Sequence, residues 1–195
     1  MMPSQAGGWS STMRMTFDEV KATQTAASLL RLAGGRLQYL ALIKMLYMLD
    51  REALNRWGLP VTTDHYVSMK LGPVTSEIFD LVKVKGDPVR PSFWSSHIRR
   101  EGYDAVLTTD PSDSELSPAE DDLIAEIFAQ CSGKDGFQLA DQTHKEFPEW
   151  SDPGNTSTPI DVDDILSALG KDEAEVAQTG TMMSIQNALF DMTRA

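Results

Sequence analysis

From Leu37 to Leu49 nearly every position is apolar, interrupted only by Gln38 and Lys44, and then Asp50, Arg51, Glu52, Asn55 and Arg56 turn the pattern polar. A helix apolar on all sides is a buried one. The segment from about 37 to 57, stopped by Gly58 and Pro60, therefore predicts the central helix of a core. Its apolar part, Leu37 to Leu49, is too short to span a bilayer and carries Gln38 and Lys44. Upstream, Val20, Ala26, Ala27, Leu29, Leu30 and Ala33 recur at helical spacing and end at Gly34 and Gly35, with Thr16 and Glu19 spaced as a capping box. Downstream, Thr62 to Met69 is rich in β-branched and aromatic residues and predicts a short extended segment. Gly72 and Pro73 then read as the opening of a helix with Pro at its first position and Val74, Ile78, Leu81 and Val82 as its apolar face, ended by Gly86, Pro88 and Pro91.

Ser96 to Thr108 predicts two short strands turning near Glu101, Gly102 and Tyr103. Ser117, Pro118 and Glu120 form a second capping box ahead of Leu123, Ile124, Ile127 and Phe128, a helix that Gly133 closes. A shorter helix follows from Phe137 to Phe147, stopped by Pro148. Asp161 caps two turns carrying Ile165, Leu166 and Leu169 up to Gly170, and a last helix runs from Asp172 towards Met192, interrupted or weakened at Gly180. The expected class is α+β, mainly α-helical, with a small two- or three-stranded β element. The expected organisation is a flexible tail over 1–15 and a single domain over 16–195 that includes a C-terminal helical extension.

A chain of 195 residues, 41% of them apolar, can bury a core without disulfides. Its net charge of -12 repels phosphate backbones, so the charge argues against nucleic acid as a partner. The single cysteine, Cys131, permits no internal disulfide, and no apolar run near the N-terminus resembles a secretory signal, which makes the cytoplasm the expected compartment. Basic residues cluster at Lys83, Lys85, Arg90, Arg99 and Arg100. None follows until Lys134, while acids accumulate, and such an acidic face either is ordinary solvated surface or steers a basic partner.

Candidate chemistry is sparse. Cys131 and His144 lack any local signature of a nucleophile and its base, and His65, His97 and His144 lack metal-ligand spacing, so neither metal nor cofactor is expected. Gly133 and Lys134 miss the remaining residues of a phosphate loop. Glu120, Asp121 and Asp122 occupy a helix's first turn, where acids are favoured. Lys44, Asp50 and Arg51 are charges on an otherwise buried helix and need partners, for which Glu77 is one candidate and a bound protein the other.

The order of motifs in KMLYMLDREALNRWGLPVTTDHYVSMKLGPVTSEIFDLVK resembles the SocA-like antitoxin family, or Panacea domain. Its pattern has a helix of the KLLYxxD type (Lys44, Met45, Leu46, Tyr47, Asp50), a Gly-x-Pro-[IV]-Thr turn (Gly58, Pro60, Val61, Thr62) and an extended segment with an aromatic residue (Tyr66). Gly-Pro-Val and Ser-Glu-[IV]-[YF]-[DN] follow, here Gly72 to Val74 and Ser76 to Asp80. The stretch LSPAEDDLIAEIFAQCSGKDGFQLADQTHKEFPEW is similar to the family's second half, and the resemblance runs from about Ala22 to Gly170. Many members have His before Gly-Pro-Val, where this chain has Leu71. The resemblance implies a bacterial or phage-associated protein without catalytic residues that neutralises a cognate protein toxin by binding it, one branch acting as an adaptor to a ClpX-type protease unfoldase. On that reading the candidate partner-binding residues are Arg51, Trp57, Tyr66, Met69 and Lys70, with Trp57 and Tyr66 alternatively core residues. Two other classes stay open, a DNA-binding autoregulator using Arg99 and Arg100 and a hydrolase.

Overall fold

The structure, a computed structural model, describes residues 13–84 and 91–194. Its elements in chain order begin with α1 (Glu19–Leu32), β1 (Arg36–Gln38), α2 (Tyr39–Trp57), β2 (Tyr66–Met69), β3 (Gly72–Thr75) and α3 (Ser76–Lys83). There follow α4 (Phe93–His97), β4 (Ile98–Glu101), β5 (Asp104–Leu107), α5 (Pro118–Cys131), α6 (Gly136–Glu146), β6 (Thr158–Ile160), α7 (Val162–Ala168) and α8 (Glu173–Arg194). The class is α+β and mainly helical. The β structure comprises two three-stranded antiparallel sheets, ordered β1-β5-β4 and β3-β2-β6, rather than one small element.

Helix α2 is the central element. Every residue from Leu40 to Asp50 is buried, and α1, α5, α6, α7 and the strand β3 pack around it. The core joins Leu42, Leu46, Leu49 and Leu54 of α2 with Leu29 and Leu30 of α1, Ile124 and Ile127 of α5, Leu139 of α6 and Ile165 of α7. Apolar residues at three- and four-residue spacing bury a helix against its neighbours, and here the spacing holds on several faces of α2 at once. The helix begins at Tyr39 and not at Leu37, because Arg36–Gln38 pair with Asp104–Val106 as β1 against β5. Gly58 ends it in the left-handed region at φ 73°.

Three expectations are corrected. Asp18, not a Thr16–Glu19 box, caps α1, its carboxylate accepting from the N–H groups of Val20 and Lys21. Thr16 instead donates its N–H to Asn187 on α8, and Glu19 accepts from the N–H of Trp94. Gly72 and Pro73 open no helix: they form β3, in register with Met69 and Ser68, and α3 starts only at Ser76. α8 runs unbroken through Gly180, where a Cβ would meet the Met13 sulfur at 2.9 Å, so the glycine makes room for the incoming chain.

The capping box of α5 at Ser117 and Glu120, the turn at Gly102 and the αL glycines 34, 35 and 170 stand where the sequence places them. Of the tail expected over 1–15, residues 1–12 lie outside the described chain, and Met15 belongs to the core. Lys85, Gly86, Pro88 and Arg90 lie outside the described residues as well. Among those described, no helix is long and apolar enough to cross a membrane.

Candidate interaction site

The charges that α2 carries into the core are all engaged, and they converge on one hairpin. Asp50, fully buried, accepts from the N–H groups of Val61 and Thr62 at 2.9 Å each, from the Thr62 hydroxyl, and from the Tyr66 hydroxyl at 3.0 Å. Four donors and no acceptor surround it, an arrangement built for a carboxylate. Burial nevertheless pushes its pKa up to about 6, with the donors pulling the other way. Nearly two turns earlier on α2, Lys44 is wholly buried and donates to the Pro73 carbonyl at 2.7 Å. Desolvation lowers its pKa to about 7. α2 thus grips the chain entering β2 through Asp50 and the chain leaving the turn, on β3, through Lys44.

A third clamp holds the tip. Arg51 pairs with Glu149 through Nε at 2.7 Å and Nη2 at 3.3 Å, while the Tyr47 hydroxyl donates to the same carboxylate at 2.9 Å. The Arg51 guanidinium lies 4.4 Å from the centre of the Phe147 ring. The neighbouring Trp150 donates its indole N–H to the Met69 carbonyl at 2.9 Å and stacks on His144 at 3.9 Å between ring centres. Burial first and then the Lys44 charge lower the pKa of His144, whose Nε2 has no partner. Behind the hairpin, Asp64 caps α3 from outside that helix by accepting from the N–H groups of Glu77 and Ile78 at 2.9 Å each. Desolvation raises its pKa to about 7.

The five sequence-derived candidates divide. Tyr66 is a core residue: its ring packs edge-on against Tyr47 at 5.5 Å and its hydroxyl is committed to Asp50, so the alternative at that position closes on the core. Arg51 is mostly buried and holds Glu149. Met69, half-buried, and Lys70, exposed, lie at the hairpin tip beside Leu71, which is 42% exposed. Trp57 stands apart from these. It is half-buried at the other end of α2 and lines a cavity of about 370 Å³ with Lys21, Glu120, Asn187 and Phe190. Glu77, expected to meet Lys44 or Arg51, lies outside their reach on the exposed side of α3, 3.8 Å from His65.

Sequence reasoning missed Asp64, Glu149 and Trp150 as holders of this site. Their signals were weak: the acids stand in no cap motif of their own, and only the closing Trp of the EFPEW segment hinted at a role.

The other candidate chemistry is not assembled. Cys131 is buried, its sulfur 3.7 Å from that of Met48, and burial raises its pKa, the reverse of activation. Among the described residues no group of three His, Cys, Asp or Glu side chains could hold a metal ion. Two of the described residues of the basic patch are paired with acids and a third lies on an aromatic ring. Lys83 pairs with Asp80, Arg99 with Glu101, and Arg100 lies over the Tyr39 ring.

A family model, the SocA-like antitoxin with Panacea domain, matches residues 42–151, more than half of the chain. The match is narrower than the span from Ala22 to Gly170 and leaves α1, β1, the first three residues of α2, β6, α7 and α8 outside it. It takes in α2 from Leu42 onward, the β2–β3 hairpin and the Glu149–Trp150 clamp. No curated protein and no solved structure matches the chain.

Proposed function

Since the chain belongs to the SocA-like antitoxin family, Panacea domain, a family that implies a toxin as partner, we propose that it neutralises a cognate protein toxin by direct binding at the hairpin tip. The family match carries the antitoxin reading. What supports the choice of surface is that two side chains of the matched region hold the backbone on either side of the exposed tip, Trp150 at the Met69 carbonyl and the buried Lys44 at the Pro73 carbonyl. Rigid presentation reduces the entropy lost on binding, and an exposed Leu beside a Lys supplies an apolar anchor with a charged rim. Arg51 acts through Glu149 and Trp150, as a positioning residue. Trp57 would join only if the partner also reached the α5 and α8 side.

Binding without catalysis is the accompanying reading, since the one thiol is buried and unactivated. A cytoplasmic place fits a single cysteine. The adaptor role, in which bound toxin is handed to a ClpX-type unfoldase, is the finer version of the same function, and a phage-associated origin is the matching context. DNA binding by Arg99 and Arg100 is less favoured, because Glu101 on the same sheet answers Arg99 and Arg100 lies over the Tyr39 ring while donating to the Gly102 carbonyl.

The test co-expresses the product of the adjacent gene with wild type and with the double variant Lys70→Glu, Leu71→Asp. Both positions are exposed, so the variant should melt as wild type does, bind less toxin and rescue growth poorly. Full rescue would remove the tip, and a wild type that neither binds nor rescues would remove the antitoxin reading. Comparing toxin levels with and without the protease separates blockade from delivery.

A further inference from the structure

Behind the hairpin tip, three side chains crowd around one glycine. A Cβ on Gly72 would lie 2.5 Å from the Thr143 hydroxyl, 2.9 Å from the Lys44 ammonium and 3.3 Å from Cδ2 of His144, so the ammonium and the imidazole flank the same point of the backbone. His144 stacks on Trp150, with 3.9 Å between ring centres and 16° between planes, and Trp150 in turn donates its indole N–H to the Met69 carbonyl. The Nε2 atom of His144 is sealed from solvent and has no partner among the described residues. Lys44 is wholly buried and donates to the Pro73 carbonyl.

We infer that His144 is a positioning residue for the tip that works only as an uncharged ring: a proton on it unseats Trp150 from Met69 and loosens the Met69–Leu71 turn. The neutral ring can leave Nε2 as a bare acceptor and carry its hydrogen on Nδ1. An imidazolium carries hydrogen on both nitrogens, and a buried, charged N–H without an acceptor is costly to seal. Stacking on Trp150 attracts a cation, but the charges around the ring do not hold one there. From α2 comes Lys44, whose pKa of about 7 keeps it charged over most of the range in which an ordinary histidine, near 6.5, takes its proton. From α6 itself comes Asp141, exposed and paired with Lys145, and from the chain after Trp150 comes Asp152, exposed and accepting from the Gly154 N–H. Strand β3 brings no charge. Water screens the two acids far more than it screens the buried ammonium. Burial first and then Lys44 therefore hold the pKa of His144 below its ordinary value. Taking the proton means leaving the seat: the ring turns to bring Nε2–H to water, Trp150 loses its platform, and of the two backbone holds on the turn only Lys44 at Pro73 stays. The effect on binding rests on the tip being the toxin's surface, whereas the clamp itself does not.

The measurement is hydrogen exchange at the backbone amides of residues 69–72 in the full chain without toxin, each rate taken against an unstructured peptide at the same pH. Wild-type protection should fall severalfold between about pH 7 and about pH 5.5, within the limit of about tenfold per pH unit that one proton allows. His144→Phe keeps a flat ring for Trp150 and cannot titrate, so it should stay protected at both pH values. His144→Ala, without the platform, should lose protection at both. The titration of the wild-type ring, followed by NMR, should have its midpoint below 6.5. Flat wild-type protection or a ring midpoint at or above 6.5 overturns the inference. So does a His144→Phe variant that loosens in acid as wild type does, since the loss then belongs to Lys44, Asp50 or Asp64, which titrate in the same range. With toxin, the affinity of His144→Phe relative to wild type should rise severalfold over the same drop in pH, a ratio that cancels the toxin's own titration. A tip that loosens while this ratio stays constant removes the tip as the toxin's surface and leaves the His144 switch standing, so the two readings fail separately.

Discussion

Removing the Asp50 carboxylate strands four donors in the interior: two backbone N–H groups and the hydroxyls of Thr62 and Tyr66. Each buried donor left without an acceptor costs about 1–3 kcal/mol. Against this, Asp50→Ala relieves the burial of an ion whose pKa is raised from 3.8 to about 6, a relief of roughly 3 kcal/mol. Four donors come to about 4–12 kcal/mol, so the net loss should be about 1–9 kcal/mol, centred near 5, against the roughly 5–15 kcal/mol that holds a domain together. Asp50→Asn retains one carbonyl acceptor and should lose about half as much, while Tyr66→Phe removes one charge-assisted bond and should lose about 1.5–3 kcal/mol. Urea unfolding at pH 7.5, followed by circular dichroism, reads all three. The coupling between Asp50 and Tyr66 in a double-mutant cycle should shrink below about pH 6, where the carboxyl takes up its proton. If Asp50→Ala unfolds within about 1 kcal/mol of wild type, the polar cluster is not what holds the hairpin to α2.

Gly72 sits at φ 93°, and a Cβ there would meet the Thr143 hydroxyl at 2.5 Å and the Lys44 ammonium at 2.9 Å, so Gly72→Ala should cost more than about 2 kcal/mol in the same assay. An unchanged midpoint would show that the turn relaxes freely. Lys44 supplies a pH dependence: its folded pKa, about 7, lies below its unfolded 10.5, so between these values the unfolded chain holds the extra proton and stability rises with pH. Lys44→Met should remove up to about 1.4 kcal/mol per pH unit of that rise between pH 7.5 and 9. Asp50 and Asp64, with raised pKa values, act oppositely between about pH 4 and 7, where stability falls as pH rises, and this limb should survive the Lys44 change.

What the residues announced in advance was whatever a local rule controls. The all-apolar stretch of α2, the Ser117–Glu120 box and the αL glycines follow from contacts within a few residues. Gly72 and Pro73 misled for the same reason. Their spacing fits a helix start, but pairing with Ser68 and Met69 puts them in a strand, and the N-terminus of α3 is capped by Asp64, twelve residues before the helix begins. The three-residue strands β1 and β6 exist only because a partner strand lies beside them, so no periodicity could reveal them. The site was half legible. Lys44, Asp50 and Arg51 stood out as charges in an apolar helix, yet Arg51 and Glu149 lie 98 residues apart, a pairing only the folded chain makes.

Strand β6 has one more consequence. Thr158–Ile160 lie along the outer side of β2, opposite β3, and come from beyond the matched region. Without them β2 would present an open row of backbone groups, the geometry by which a foreign strand extends a sheet and by which sheets stack into aggregates. The chain fills that vacancy itself, with a segment three residues long and carrying Pro159, too short and too poor in donors to recruit a successor. Along β2 the backbone code has thus already been spoken for, and a partner of the kind proposed would meet side chains on that side of the hairpin.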